Sequence, residues 1–189
     1  MNLRRAATTT AALSLVLAGA ACANDDPDMP MMDDMSGMDG MDGMDGMAMG
    51  DPGATPADEV DGDVTSGEFS VLDTAPPGSD GAAGQAWLAQ NDDGTTVTIR
   101  LTGLAPDTAY MAHLHAEACA SDNGGPHFMF DLDGSEMPPN EVHLAFTADD
   151  DGAGEVTVTN EQRVGDGAPS VVIHPTDAMD NRLACADFS

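Results

Sequence analysis

From Val64 onward the chain is written in short alternating apolar and polar runs with turn residues between them, and no stretch of useful length carries a helical period. The candidate strands are 67–73, 83–90, 95–104, 109–115, 142–148, 154–159 and 170–174. Asn91-Asp92-Asp93-Gly94 joins the second and third as a hairpin turn does. Asp149-Asp150-Asp151-Gly152 is expected to join 142–148 to 154–159 in the same way. This many short strands in one domain-sized stretch predicts an all-β fold, a single antiparallel sandwich or barrel over 64–189.

The N-terminus reads as an export signal. Arg4 and Arg5 precede an apolar run at 11–21, too short to span a bilayer as a mature helix. Ala18-Gly19-Ala20-Ala21-Cys22 reads as a lipobox, which would make Cys22 the lipid-modified first residue of a membrane-tethered protein. The other reading of the same residues is a small-x-small cleavage site at Ala21-Cys22-Ala23, with a freely secreted product. Both place the domain outside the cytoplasm, after a signal segment at 1–22. With Cys22 lipidated or removed, Cys119 and Cys185 remain either as one disulfide of an oxidising compartment or as two buried thiols.

Between these parts, 23–63 is mostly Asp, Gly, Met, Pro and Ala and has too few large apolar residues to bury a core. The Met-Asp-Gly repeat at Met38, Met41 and Met44 has a period of three, which fits neither helix nor strand, so the segment is expected to be an extended tether. Nine methionines stand between Met29 and Met49. A spacer could use serine without the oxidation risk, whereas thioethers are soft donors suited to Cu(I). Capture of additional Cu(I) on Met29 to Met49 is therefore set beside plain spacing. The repeat is similar to the methionine-rich tracts of bacterial copper-resistance proteins.

The charge excludes other partners. The chain has 34 acidic residues against five arginines and no lysine, for a net charge of −29. Nothing here neutralises phosphates, so nucleic acid is excluded, and a membrane is reached through a lipid anchor only.

The five histidines carry the chemistry. His113 and His115 stand two apart on a candidate strand and project from one face. His127 follows a Gly124-Gly125-Pro126 turn that can fold the chain back onto that strand, and His174 ends the apolar run Val171-Val172-Ile173. Four imidazoles from a strand, a loop and a second strand end suit copper or zinc, with copper favoured by tetragonal nitrogen ligation.

At these residues the chain resembles the Cu/Zn superoxide dismutases. His113-Leu114-His115, Cys119, Gly125-Pro126-His127-Phe128, Thr147-Ala148-Asp149-Asp150-Asp151-Gly152, Val171-Val172-Ile173-His174 and Arg182-Leu183-Ala184-Cys185 stand in that family's order, and Gly103-Leu104-Ala105-Pro106 precedes the His-x-His as it does there. The resemblance covers residues 66–189. It implies a Greek-key β-barrel and copper bound by His113, His115, His127 and His174. It also implies a Cys119–Cys185 disulfide and Arg182 as an anion-attracting catalytic group beside the metal; a surface ion pair of Arg182 with Asp180 or Asp187 is the plainer alternative. Superoxide would be the small-molecule substrate, converted to dioxygen and hydrogen peroxide, with His127 holding a proton during turnover.

Two departures matter. In the family the residue matching His127 bridges copper to zinc, and more histidines complete the zinc site. Here FMFDLDGSEMPPNEV follows His127 with no histidine until His143, so zinc is expected to be absent and His143 to be a strand residue or to lie behind the ligands, with a zinc ligand as the other reading of His143. The second nitrogen of His127 then needs an acceptor, for which Asp131, Asp133, Glu136 and Glu141 are candidates. The segment PTDAMDN between His174 and Arg182 is also too short for the family's long loop. Both departures resemble the copper-only branch of the superfamily. A tethered copper-storage or resistance protein on the same scaffold is the alternative function.

Overall fold

The computed structural model describes residues 49–189. The expected signal segment, Cys22 and the methionines from Met29 to Met47 lie outside the described residues. The strands are β1 (Asp63–Glu68), β2 (Ser70–Val71), β3 (Ala83–Asn91), β4 (Gly94–Thr102), β5 (Ala109–His115), β6 (His143–Thr147), β7 (Gly154–Asn160), β8 (Ser170–Pro175) and β9 (Ala184–Asp187). They form two antiparallel sheets, ordered β1-β3-β4-β7 and β2-β9-β8-β5-β6, with connections that cross between the sheets in Greek-key fashion. The fold is all-β.

Period-two alternation decides what lies between the sheets. Ala86 and Leu88 of β3, Val97, Ile99 and Leu101 of β4, and Val156 and Val158 of β7 form one wall of the core. Ala112 and Leu114 of β5, Leu144 of β6, and Val171 and Ile173 of β8 form the other. The residues between them on β5 and β8, His113, His115 and His174, therefore project away from the core.

Several expectations need correction. The strand expected at 67–73 is two strands, broken at Phe69, whose ring turns into the core. Strand β9 was not expected, because Ala184-Cys185-Ala186-Asp187 has small residues and no alternation to announce it, yet it pairs with both β8 and β2.

The hairpins diverge as well. Asn91 and Gly94 face each other across a two-residue turn and join β3 to β4. The Asp149–Gly152 turn instead is a corner, since β6 and β7 lie in different sheets. Asp149 Oδ1 accepts the N–H groups of Asp151 and Ala153 at 3.0 and 2.8 Å, so the turn chemistry is present although the strands do not pair.

What occupies the seam is chain assigned to the tether. The Met49 carbonyl accepts the N–H of Ala145 on β6, and the Asp51 N–H donates to Thr157 of β7 at 2.8 Å. Further on, Ala57 is fully buried and its N–H donates to Thr98 Oγ1 at 2.9 Å. Asp58 pairs at 2.9 Å with Arg100, which also reaches Glu155 and lies over the Trp87 ring. The described part of the expected 23–63 tether thus belongs to the domain, held by polar contacts that leave no apolar pattern in the sequence.

Candidate metal centre

The outward face of β5 supplies His113 and His115, and β8, paired beside it with Met111 opposite His174, adds His174 to the same face. The Gly-Gly-Pro turn folds back as expected. His127 bridges to His115, Phe128 N–H donates to the Leu114 carbonyl at 2.8 Å, and Ala116 N–H to that of Pro126 at 2.9 Å. Gly124 has φ +104°, and a Cβ there would lie 2.9 Å from Val172 Cγ2, so only glycine lets the loop settle on these strands. The Cys119–Cys185 disulfide, spanning a separation of 66 residues, ties this loop to β9. Closing a loop of that size stabilises the fold by roughly 4 kcal/mol in the chain-entropy account.

The structure brings all four histidines together. One nitrogen from each lies within 4.8 Å of one from every other. Ring centroids are 4.1 Å apart for His113 and His127, 4.9 Å for His115 and His127, and 5.8 Å for His115 and His174. His113 Nδ1, His115 Nε2 and His174 Nε2 are buried without a hydrogen-bond partner. An unpartnered buried polar atom costs about 1–3 kcal/mol, so three in one cluster ask for an explanation.

Their neighbours assign the lone pairs. His115 Nδ1 lies 3.0 Å from the Gly125 carbonyl and His174 Nδ1 lies 2.9 Å from that of Met179. Carbonyls only accept, so these Nδ1 atoms carry the hydrogens and each Nε2 is a lone pair. His127 Nδ1 lies 2.9 Å from Glu141 Oε2 and donates to it, which leaves His127 Nε2 as the lone pair. A set of imidazole lone pairs fixed from behind by carbonyls and a carboxylate fits copper or zinc.

Burial keeps three of the rings, His113, His115 and His174, neutral. Desolvation pushes His115 down to about 3, against the Gly125 carbonyl, and His174 down to about 4, against the Met179 carbonyl. Desolvation also holds His113 well below the imidazole range, with the neighbouring imidazoles adding to it. A neutral ring is the form that binds a metal.

Arg182 stands beside the cluster, close enough for its charge to oppose protonation of His115 and His174. Its Nη1 donates to the carbonyls of Asp122 and Asn123, and it makes no ion pair among the described residues, with Asp180 and Asp187 included. The segment after His174 is a tight turn, with Ala178 N–H on the Pro175 carbonyl and Asn181 N–H on that of Ala178, before Leu183 pairs back to Ile173. His127, with its side chain 34% exposed, remains open to solvent.

Of the four carboxylates offered for His127, the structure selects Glu141. Asp131 instead orders its own turn, accepting the Asp133 N–H at 3.0 Å, and Glu136 is exposed. His143 is buried, and its Nε2 lies 2.8 Å from the same Glu141 oxygen. Glu141 and His143 are two apart, and His143 faces His113 across the β5–β6 ladder. This Glu-x-His opposite a His-x-His was the signal available in the sequence, and it needs the strand register to be read.

The site is thus a cluster of four imidazoles on the outward side of one sheet of a two-sheet β fold. No protein-family model matches the chain. Among solved structures, the fold is similar to the Cu/Zn superoxide dismutase from Brucella abortus at 17% identity and a TM-score of 0.51, covering 67% of this chain and 100% of that one. The likeness is one of fold.

Proposed function

We propose that this protein is an exported, copper-dependent superoxide dismutase of the copper-only kind. The observation that carries this reading is the convergence of His113, His115, His127 and His174 with three buried nitrogens left unpartnered. These four residues would hold the metal. Copper supplies a one-electron couple, which oxidises one superoxide to dioxygen and reduces a second to hydrogen peroxide with two protons.

The remaining work falls to the chain. Arg182, held by two carbonyls and with no carboxylate partner among the described residues, offers an approaching anion local positive charge within a strongly acidic protein. His127 is the exposed member of the cluster, and its Nε2 is the atom at which a proton can be held beside that anion. Glu141 occupies the nitrogen of His127 that the family gives to zinc, which supports a site working without zinc. The segment after His174 is a tight turn, and small reactants would reach the cluster by way of the exposed His127. The disulfide supports a location outside the cytoplasm, where Cys22 would carry the lipid anchor.

The second reading, a tethered copper-storage or resistance protein, is favoured by the nine methionines between Met29 and Met49. Metal analysis of the purified protein with direct kinetics of superoxide decay separates the two. One copper, no zinc and fast decay support the dismutase. Several Cu(I) per chain, lost when Met29 to Met49 are deleted, with negligible decay, would establish storage instead.

A further inference from the structure

His143 has no place in a four-histidine metal centre, yet the fold buries it against that centre. It is 6% exposed, its ring meets that of His113 edge-on at 4.4 Å, and its Nδ1 is buried without a partner. An apolar residue would fill this position on β6 without that unpartnered nitrogen. The one hydrogen bond His143 makes runs to Glu141 Oε2 at 2.8 Å, the same oxygen that accepts from His127 Nδ1 at 2.9 Å.

Glu141 is 3% exposed and is held on its two sides by these rings. A glutamate side chain loses rotamer freedom when fixed, and a single donor from a partly exposed ring gives little to hold it. A second N–H from a rigid strand fixes the oxygen. The tautomer of His127 follows from the position of that oxygen. An imidazole free of partners prefers its hydrogen on Nε2, where it would block the nitrogen that faces the other three histidines. An acceptor at Nδ1 reverses the preference.

We propose that His143 is a positioning residue: by clamping the Glu141 carboxylate from the β6 side, it sets His127 in the Nδ1–H tautomer and so presents His127 Nε2 as a metal-ready lone pair. The inference rests on His127 being a ligand, as in the reading above, but its first test needs no metal.

In the metal-free, ¹⁵N-labelled full chain, long-range proton–nitrogen correlation spectra are expected to show His127 as the Nδ1–H tautomer alone. His143→Gln, whose amide reaches the place of Nε2, is expected to keep it. His143→Asn, whose shorter amide reaches only the place of Nδ1, is expected to lose it to a mixture, as is His143→Leu. Thermal unfolding checks that each variant is folded. If His143→Leu does not fold, the Gln and Asn pair decides alone, being alike in polarity. On copper addition, the Asn variant is expected to bind roughly 10- to 100-fold more weakly and to show an altered Cu(II) paramagnetic resonance spectrum. A wild-type His127 that is not Nδ1–H overturns the proposal, and so do folded Asn and Leu variants with an unchanged tautomer. A chain that binds no copper at all overturns the dismutase reading and leaves the tautomer result standing.

Discussion

The two faces of β5 are built from one seven-residue strand and obey opposite rules. On the inner face, Tyr110, Ala112 and Leu114 meet the apolar residues of the facing sheet, and Tyr110 stacks on Phe146 at 5.6 Å. On the outer face, His113 and His115 are buried as deeply but end in nitrogens without partners. Depth of burial therefore does not separate packing from chemistry here. Polar satisfaction does: one face is complete as it stands, and the other ends in buried nitrogens that a metal could satisfy.

Substitutions on the two faces should come apart accordingly. His174→Ala is expected to abolish both copper binding and superoxide decay while costing the metal-free protein less stability than a core truncation does, measured by metal content, decay kinetics and denaturant midpoint. A drop in metal-free stability like that of a core mutant would erase the distinction. Leu114→Ala should do the reverse, costing about 2–5 kcal/mol of unfolding free energy for a lost buried leucine while a full copper complement is retained in the folded fraction.

Acid sharpens the contrast. His115 and His174 titrate near 6.5 when unfolded and at about 3 and 4 when folded, so between those values the unfolded chain binds more protons. Metal-free stability is therefore untouched by these two rings above pH 6.5 and falls as pH drops through that value, toward 4 for His174 and toward 3 for His115. Replacing both residues by glutamine should flatten this part of the stability–pH curve, and a slope that survives the replacement assigns it to other groups. The smallest effect is expected for Arg182→Ala: superoxide decay severalfold slower at low ionic strength, with copper content unchanged. An unchanged rate would remove Arg182 from the reaction.

How much of this was readable before folding differs by feature. Strand β5 and the β3–β4 hairpin followed from alternation and from the Asn-Asp-Asp-Gly turn, because both signals are local. The same logic failed at Asp149-Asp150-Asp151-Gly152. Its turn forms as written, but β6 pairs with β5 rather than β7, and Ala145 of β6 donates instead to the carbonyl of Met49, nearly a hundred residues earlier in the chain. Ala57 and Asp58 were equally hidden, since their anchors are the hydroxyl of Thr98 and the guanidinium of Arg100. The four histidines were found by residue type and spacing. Choosing Glu141 over Asp131, Asp133 and Glu136 required the register that sets His143 opposite His113.

The strand-like entry at Met49 also gives the barrel a mechanical character. A pull applied there does not reach the apolar interior first. It arrives at the backbone hydrogen bonds to Ala145 and Thr157, at the line where the two sheets meet and two residues along β6 from His143. The seam is thus the zip of this fold, and tension at Met49 would load these two hydrogen bonds, one of them two residues along β6 from His143.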